Sequence, residues 1–217
     1  MIERLHLVDG TFELFRAHYA PRPGHLAPDG RTVKAAVGVV RSLLLMLQGE
    51  VEQATHIAAA FDNPIESFRN DLFAGYKTGE GIEPDLRRQF DLVEEGVAAI
   101  GVAVWRMDRW EADDALATAA LRWKDDCEQV RIMTPDKDLG QVVDGNRVVQ
   151  VDAIRRREIN ESVVRAHRTA PESIPDFLAL TGDPADGIPG LPGFGEKTAA
   201  ALLGAYRHIE DIPDDGA

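Results

Sequence analysis

Apolar residues along this chain come in two alternating patterns. Residues 5–8 form a short apolar run that stops at Asp9-Gly10, and residues 55–61 form a second that stops at Asp62. Residues 102–105 and 129–133 look alike, and Thr134-Pro135-Asp136-Lys137-Asp138 follows the latter directly. Short apolar runs bounded by turn residues read as buried strands. Between them, apolar positions recur at helical spacing over 12–19, 32–48, 65–75, 85–100 and 111–124. Thr32 is a natural cap for the second of these helices. Asp144-Gly145 marks a hairpin turn before a strand over 147–151. The rest is mainly helical, with a Gly- and Pro-dense stretch from Gly182 to Gly195, and 211–217 reads as a loop. Strands alternating with helices predict an α/β fold with a largely parallel central sheet. In such sheets ligands gather at the carboxyl ends of the strands, where Asp9, Asp62 and Asp136 stand.

Composition adds bounds. The 217 residues are 44% hydrophobic, enough for a core in one domain or a domain with a small appendage. One cysteine, Cys127, excludes an internal disulfide and suits a reducing cytoplasm. The first residues lack the pattern of a signal peptide. The longest apolar stretch, around Val37 to Leu47, is broken by Arg41 and Ser42 and is too short to span a membrane. The histidines show no ligand spacing. Trp105, Trp110 and Trp123 read as core residues rather than base-stacking platforms, and Arg155-Arg156-Arg157 as a solvated face, with a weak duplex contact as the alternative.

The net charge of −13 argues at first against a polyanionic partner. The placement of the acids reverses that. A single Asp after a strand is usually a helix cap. Here Glu111, Asp113 and Asp114 cluster, Asp136 and Asp138 form a second group, and Asp183 and Asp186 a third. The last two share a face if that turn is helical. With Asp9 and Asp62, these acids converge on one end of the sheet. Like charges so close repel unless a cation is present. Oxygen ligands without Cys or His favour a hard cation, Mg²⁺ or Mn²⁺. Two such ions can clamp a phosphodiester.

The motifs Leu7-Val8-Asp9-Gly10, Phe61-Asp62, Phe68-Arg69 with Tyr76-Lys77, Glu111-Ala112-Asp113-Asp114, Thr134 to Asp138, and Leu180 to Asp186 occur in order. In that order they resemble the 5′ nuclease domain of bacterial DNA polymerase I and the wider flap endonuclease/5′–3′ exonuclease family, over nearly the whole chain. The resemblance implies a PIN-like core over 1–170, with an arch at about 77–100 that admits single-stranded 5′ ends. It implies one metal-holding group of Asp9, Asp62, Glu111 and Asp113 with Asp114 nearby, and a second of Asp136, Asp138, Asp183 and Asp186. Lys77 and Arg16 match basic residues that the family places beside the scissile phosphate. The arch departs from the family pattern, because Glu80 and Glu83 stand where phosphate contacts are expected.

Gly190, Gly193, Gly195, Lys197 and Thr198 precede an apolar helix. Glycines admit close approach of a phosphate, and a helix start favours anions. The resemblance makes 171–217 a helix–three-turn–helix that grips duplex phosphates, with a K⁺ ion. Further helices follow this element in the family, so the segment reads as shortened or as a reduced form. The implied partner is DNA with a 5′ flap or 5′ end, with a DNA polymerase in cis or in trans. A monomer in the bacterial cytoplasm, at the nucleoid, is expected. The rival readings are a PIN-type ribonuclease, against which the Gly-rich element argues, and an inactive DNA-structure binder, against which the intact acid set argues.

Overall fold

A computed structural model of the chain describes residues 2–49 and 52–213. β1 (Ile2–Asp9) leads into α1 (Gly10–Tyr19) and α2 (Lys34–Leu47). β2 (His56–Asp62), α3 (Phe68–Leu72), α4 (Pro84–Arg87) and α5 (Phe90–Ala99) follow. Next come β3 (Ala103–Met107), α6 (Ala112–Trp123) and β4 (Cys127–Met133). β5 (Val148–Asp152) and β6 (Arg157–Ile159) precede α7 (Glu161–His167) and α8 (Ile174–Thr181). The two-residue strands β7 (Gly182–Asp183) and β8 (Ile188–Pro189) separate α8 from α9 (Glu196–Ala205).

The main sheet has the order β3-β2-β1-β4-β5-β6. Every pairing is parallel except β5 with β6. Side chains alternate across each strand, so both faces need cover. Val8, Ala59 and Phe61 pack beneath α1, α2 and α5. Leu5, Leu7, Ala58 and Ala60 pack beneath α6, against Leu116, Ala119 and Ala120. The chain runs outward from β1 to β2 and β3, then crosses back to β4 on the other side of β1. This reversal opens a crevice beyond the carboxyl ends of β1 and β4.

The structure corrects several local expectations. Thr32 does not cap α2: its N-cap is Val33, with no side-chain hydrogen bond. The buried Gln89 side chain instead accepts from the amides of Ala35 and Ala36 at 2.9 and 3.1 Å. Asp144-Gly145 makes the expected turn, closed by an antiparallel bridge between Asp144 and Val148, but the strand that pairs with β5 is β4, in parallel across a 3₁₀ crossover. The helix expected over 65–75 is confined to α3. Leu86, Phe90, Val93 and Val97 are buried in the core, so the segment free to form an arch ends near Asp85 rather than near residue 100. Trp110 and Trp123 lie on the surface rather than in the core. Of the loop expected over 211–217, residues 214–217 lie outside the described part. Among the described residues, no helix is long and apolar enough to cross a membrane.

Candidate active site

Three carboxylates are set by strand ends. Asp9 closes β1 and caps α1, accepting from the Phe12 amide at 2.8 Å. Its second oxygen accepts from the Thr134 hydroxyl at 3.0 Å, across the β1–β4 crevice. Asp62 closes β2 and accepts from the Ala112 amide at 2.6 Å, which ties it to the start of α6. Its own amide donates to Thr11 at 2.7 Å. Asp136 follows β4, is exposed, and accepts from the Asp138 amide at 2.9 Å.

The start of α6 supplies three more acids. Glu111 is buried and surrounded by donors: Ser67 at 2.6 Å, Lys77 at 3.0 Å, and Arg69 at 3.3 Å. Burial alone would raise its carboxyl, but Ser67, Lys77 and Arg69 outweigh that and hold it below the usual range. Asp113 has the opposite environment. Burial, and then the charges of Asp9 and Asp136, push it well above the usual carboxylate range. Asp114, expected beside the metal-holding group, is occupied elsewhere: both of its oxygens take the Arg69 guanidinium at 2.8 Å. It also accepts the Glu111 amide at 2.9 Å. A bidentate pair of this kind leaves little capacity for a further cation.

Asp183 and Asp186 are not on a helix. Gly182 ends α8 and the chain turns through β7, so Asp183 is buried and accepts from the Ala185 amide at 2.8 Å. It faces Lys137 at 3.3 Å. Asp186 points the other way, to Lys77 at 2.9 Å and the Tyr76 hydroxyl at 3.1 Å. Tyr76 lies equally close, 3.1 Å, to Glu111. Lys77 and Tyr76 therefore join the two acid groups. Burial would lower the Lys77 pKa, but Glu111 and Asp186 more than offset it and keep the ammonium charged.

The remaining acids press on one another. Asp9 is pushed up to about 7, first by burial and then by Asp62 and Asp136. Burial, aided by Glu111, also raises Asp62. Asp138 reaches about 7 through burial and the charges of Asp136, Asp183 and Asp186. Its Oδ1 is buried with no hydrogen-bond partner. Among the described residues, no three acids close into a finished ligand cage. Local donors hold the carboxylates apart while their charges still act on each other. An all-oxygen set, mutually repelling and with an orphaned buried oxygen, fits a hard divalent cation.

Arg16 is not brought to these acids. Its guanidinium is paired with Glu13, one helical turn back, at 3.0 Å from Nε. The physical reason is local: Glu13 is buried on α1 and needs a counter-charge. The sequence reading missed Thr134, Thr11 and Ser67 as site residues. Thr11 and Thr134 offer the signal of a hydroxyl beside an acidic motif, whereas Ser67 is distant in sequence from its partner Glu111 and offers none.

The Gly-rich element is an α8–turn–α9 unit with its own small core of Phe177, Leu180, Ala199 and Leu203. Gly190 crosses the end of α8 so closely that a Cβ would meet the Thr181 carbonyl at 2.3 Å. Gly193 has φ +89 and opens onto solvent. Gly195 is the N-cap of α9, and Lys197 and Thr198 are exposed in its first turn.

Two family models match the chain. The 5′-3′ exonuclease N-terminal resolvase-like domain matches residues 4–169, and the 5′-3′ exonuclease C-terminal SAM fold matches 169–216. DNA polymerase I of Mycobacterium leprae is 35% identical over 97% of this chain, which spans 24% of that protein. A 5′-3′ exonuclease of Aquifex aeolicus is 31% identical over 97% of this chain and 72% of its own. Among solved structures, a bacteriophage T5 D15 flap endonuclease in complex with DNA and metal ions has a TM-score of 0.74 at 19% identity, covering 97% of this chain and 78% of its own.

Proposed function

Because this chain belongs to the 5′-3′ exonuclease family, we propose that it is a divalent-metal-dependent 5′–3′ exonuclease and flap endonuclease acting on DNA in replication or repair. One observation carries this reading: acids from five parts of the chain converge, burial and then one another's charge holding several of them above the usual carboxylate range, while Lys77 stands charged between Glu111 and Asp186. That arrangement suits a phosphodiester held between cations.

Asp9, Asp62, Glu111 and Asp113 would hold one Mg²⁺ or Mn²⁺ ion, and Asp136, Asp138, Asp183 and Asp186 a second. When bound, such ions supply Lewis-acid charge and lower the pKa of water. The chain's own groups do the rest. Thr134 and the Phe12 amide fix Asp9, so its carboxylate does not follow a loop motion. Ser67 and Tyr76 orient Glu111. Lys77 supplies a fixed positive charge where negative charge develops on the phosphate. Asp114 serves by holding Arg69 against Glu111. Arg16 would reach a phosphate only by leaving Glu13.

The second domain, 171–217, would hold duplex DNA through the backbone at Gly190, Gly193 and Gly195 and through Lys197 and Thr198, with K⁺ at the turn. Phosphate contacts position a duplex without reading its sequence. The chain spans about a quarter of its DNA polymerase I relatives, so a polymerase partner in cis or in trans, like a monomeric state, is part of this proposal. The test is cleavage of a 5′-flap DNA by the purified chain. Cutting near the junction with Mg²⁺, abolished by EDTA, is expected. Equal or faster cutting of single-stranded RNA overturns the DNA assignment.

A further inference from the structure

A basic cavity adjoins the acid cluster on the side of β5 and β6. A cavity of about 350 Å³ opens between the β5–β6 turn, α7, the loop after β4 and the first residue of α9. Lys137, Arg155, Arg157, His167 and Arg168 line it, together with the acids Asp152 and Glu196. This concentration of cations is unexpected in a chain of net charge −13.

The charges there are not all neutralised. Arg155 is paired with the buried Asp152 at 2.6 Å, and Lys137 with Asp183 at 3.3 Å. Among the described residues, Arg157 contacts only the His167 ring in this way, and Arg168 donates to the Lys137 carbonyl at 3.2 Å. Neither forms a direct ion pair with a carboxylate, although the charges of Asp138 and Glu196 act on Arg168 from a distance. Arg168 is half-buried. A partly desolvated guanidinium with spare donors is suited to an oxyanion, which its planar fork can engage with two hydrogen bonds.

Position identifies the anion. Lys137 sits between Asp136 and Asp138 of the acid cluster, and Glu196 directly precedes Lys197 and Thr198 of the Gly-rich element. The cavity therefore bridges the two sites. We infer that it binds a backbone phosphate of the DNA strand that passes from the acid cluster to the Gly-rich element. This rests on the nuclease reading above and adds a contact that positions the strand between its two halves.

The test is the salt dependence of binding to a flap DNA, measured by fluorescence anisotropy with Ca²⁺ in place of Mg²⁺. Each lost phosphate contact reduces the slope of log K against log salt by about 0.9. Arg157→Ala, at an exposed position, should lower the slope by about that amount and weaken binding several-fold at moderate salt. Arg147→Ala removes an exposed cation paired with Asp125 away from the cavity, and should change neither. Inorganic phosphate provides the second arm. If phosphate raises the Tm of the wild type but not of Arg157→Ala, while the DNA slope is unchanged, the cavity serves a free anion and the inference is wrong. An unchanged slope without any phosphate effect also overturns it, as does an equal fall in Arg147→Ala. Wild-type chain that neither binds nor cuts flap DNA removes the nuclease reading as well; normal wild-type cutting with an unchanged Arg157→Ala slope removes the cavity alone.

Discussion

Lys77 and Asp186 are joined twice: the ammonium lies 2.9 Å from the Asp186 carboxylate, and the Lys77 amide donates to the Asp186 carbonyl at 3.1 Å. The start of the segment proposed as an arch is thus fastened to the turn that follows α8. A strand entering under the arch and a duplex held by the Gly-rich element would be registered by the same pair of residues.

Lys77→Ala removes the charge but keeps the backbone bond. Single-turnover cleavage of flap DNA should fall by about 10²–10³, the usual effect of removing one transition-state donor. DNA affinity should change far less. Affinity lost in parallel with rate would contradict the assigned role.

The raised acids make a prediction about stability. Asp9 and Asp138 titrate near 7 in the folded chain, against 3.8 for a free carboxyl. Between these values the folded chain binds more protons than the unfolded one, so stability falls as pH rises through about 4–7. The penalty is complete above about pH 7. In EDTA at pH 8, Asp138→Asn should therefore raise Tm, by about 2–4 °C for each kcal/mol of repulsion relieved, while abolishing cleavage. The gain should vanish at pH 4, and saturating Mg²⁺ should stabilise the wild type more than the variant. A lower Tm in EDTA at pH 8 would contradict the electrostatic account.

Asp114 and Arg69 should behave as a structural pair. Because two hydrogen bonds join them, a double-mutant cycle with alanine should show coupling of about 0.5–3 kcal/mol. Asp114→Asn should leave the Mg²⁺ concentration for half-maximal cleavage nearly unchanged, whereas Asp113→Asn should raise it strongly. The reverse ranking would return Asp114 to the metal-holding group.

Gln89 holds the start of α2 from outside the helix. Gln89→Ala orphans two buried amides and should cost about 1–3 kcal/mol, read as a shifted urea midpoint. Cleavage at a permissive temperature should persist. An unchanged midpoint would show that water satisfies those amides equally well.

Much of this was legible in the chain because strand ends carry their own punctuation. Leu7-Val8 must be buried and Asp9 cannot be buried unpaired, so the boundary and the site coincide. Asp62 and Asp136 follow the same logic. Pairing across distance was less accessible. Asp183 and Asp186 look helical by spacing, but Gly182 at φ +78 turns the chain and aims them at different cations. The Asp144-Gly145 turn is local, whereas the partner of β5 is chosen by the whole sheet. Arg16 and Asp114 matched a family pattern by position, yet they pair with Glu13 and Arg69. Such choices depend on which charged neighbour the fold brings within reach.

Asp136 offers the most direct measurement. It is exposed and contributes charge without core packing. Cleavage of a 5′-flap DNA by the wild type and by Asp136→Asn should be followed across a Mg²⁺ titration, with circular dichroism as the check on folding. The account predicts Mg²⁺-dependent cutting at the junction by the wild type and loss of cutting by at least a hundredfold in a folded Asp136→Asn. Cutting that survives in the variant, or proceeds in EDTA, would contradict a carboxylate-held divalent ion as the centre of this site.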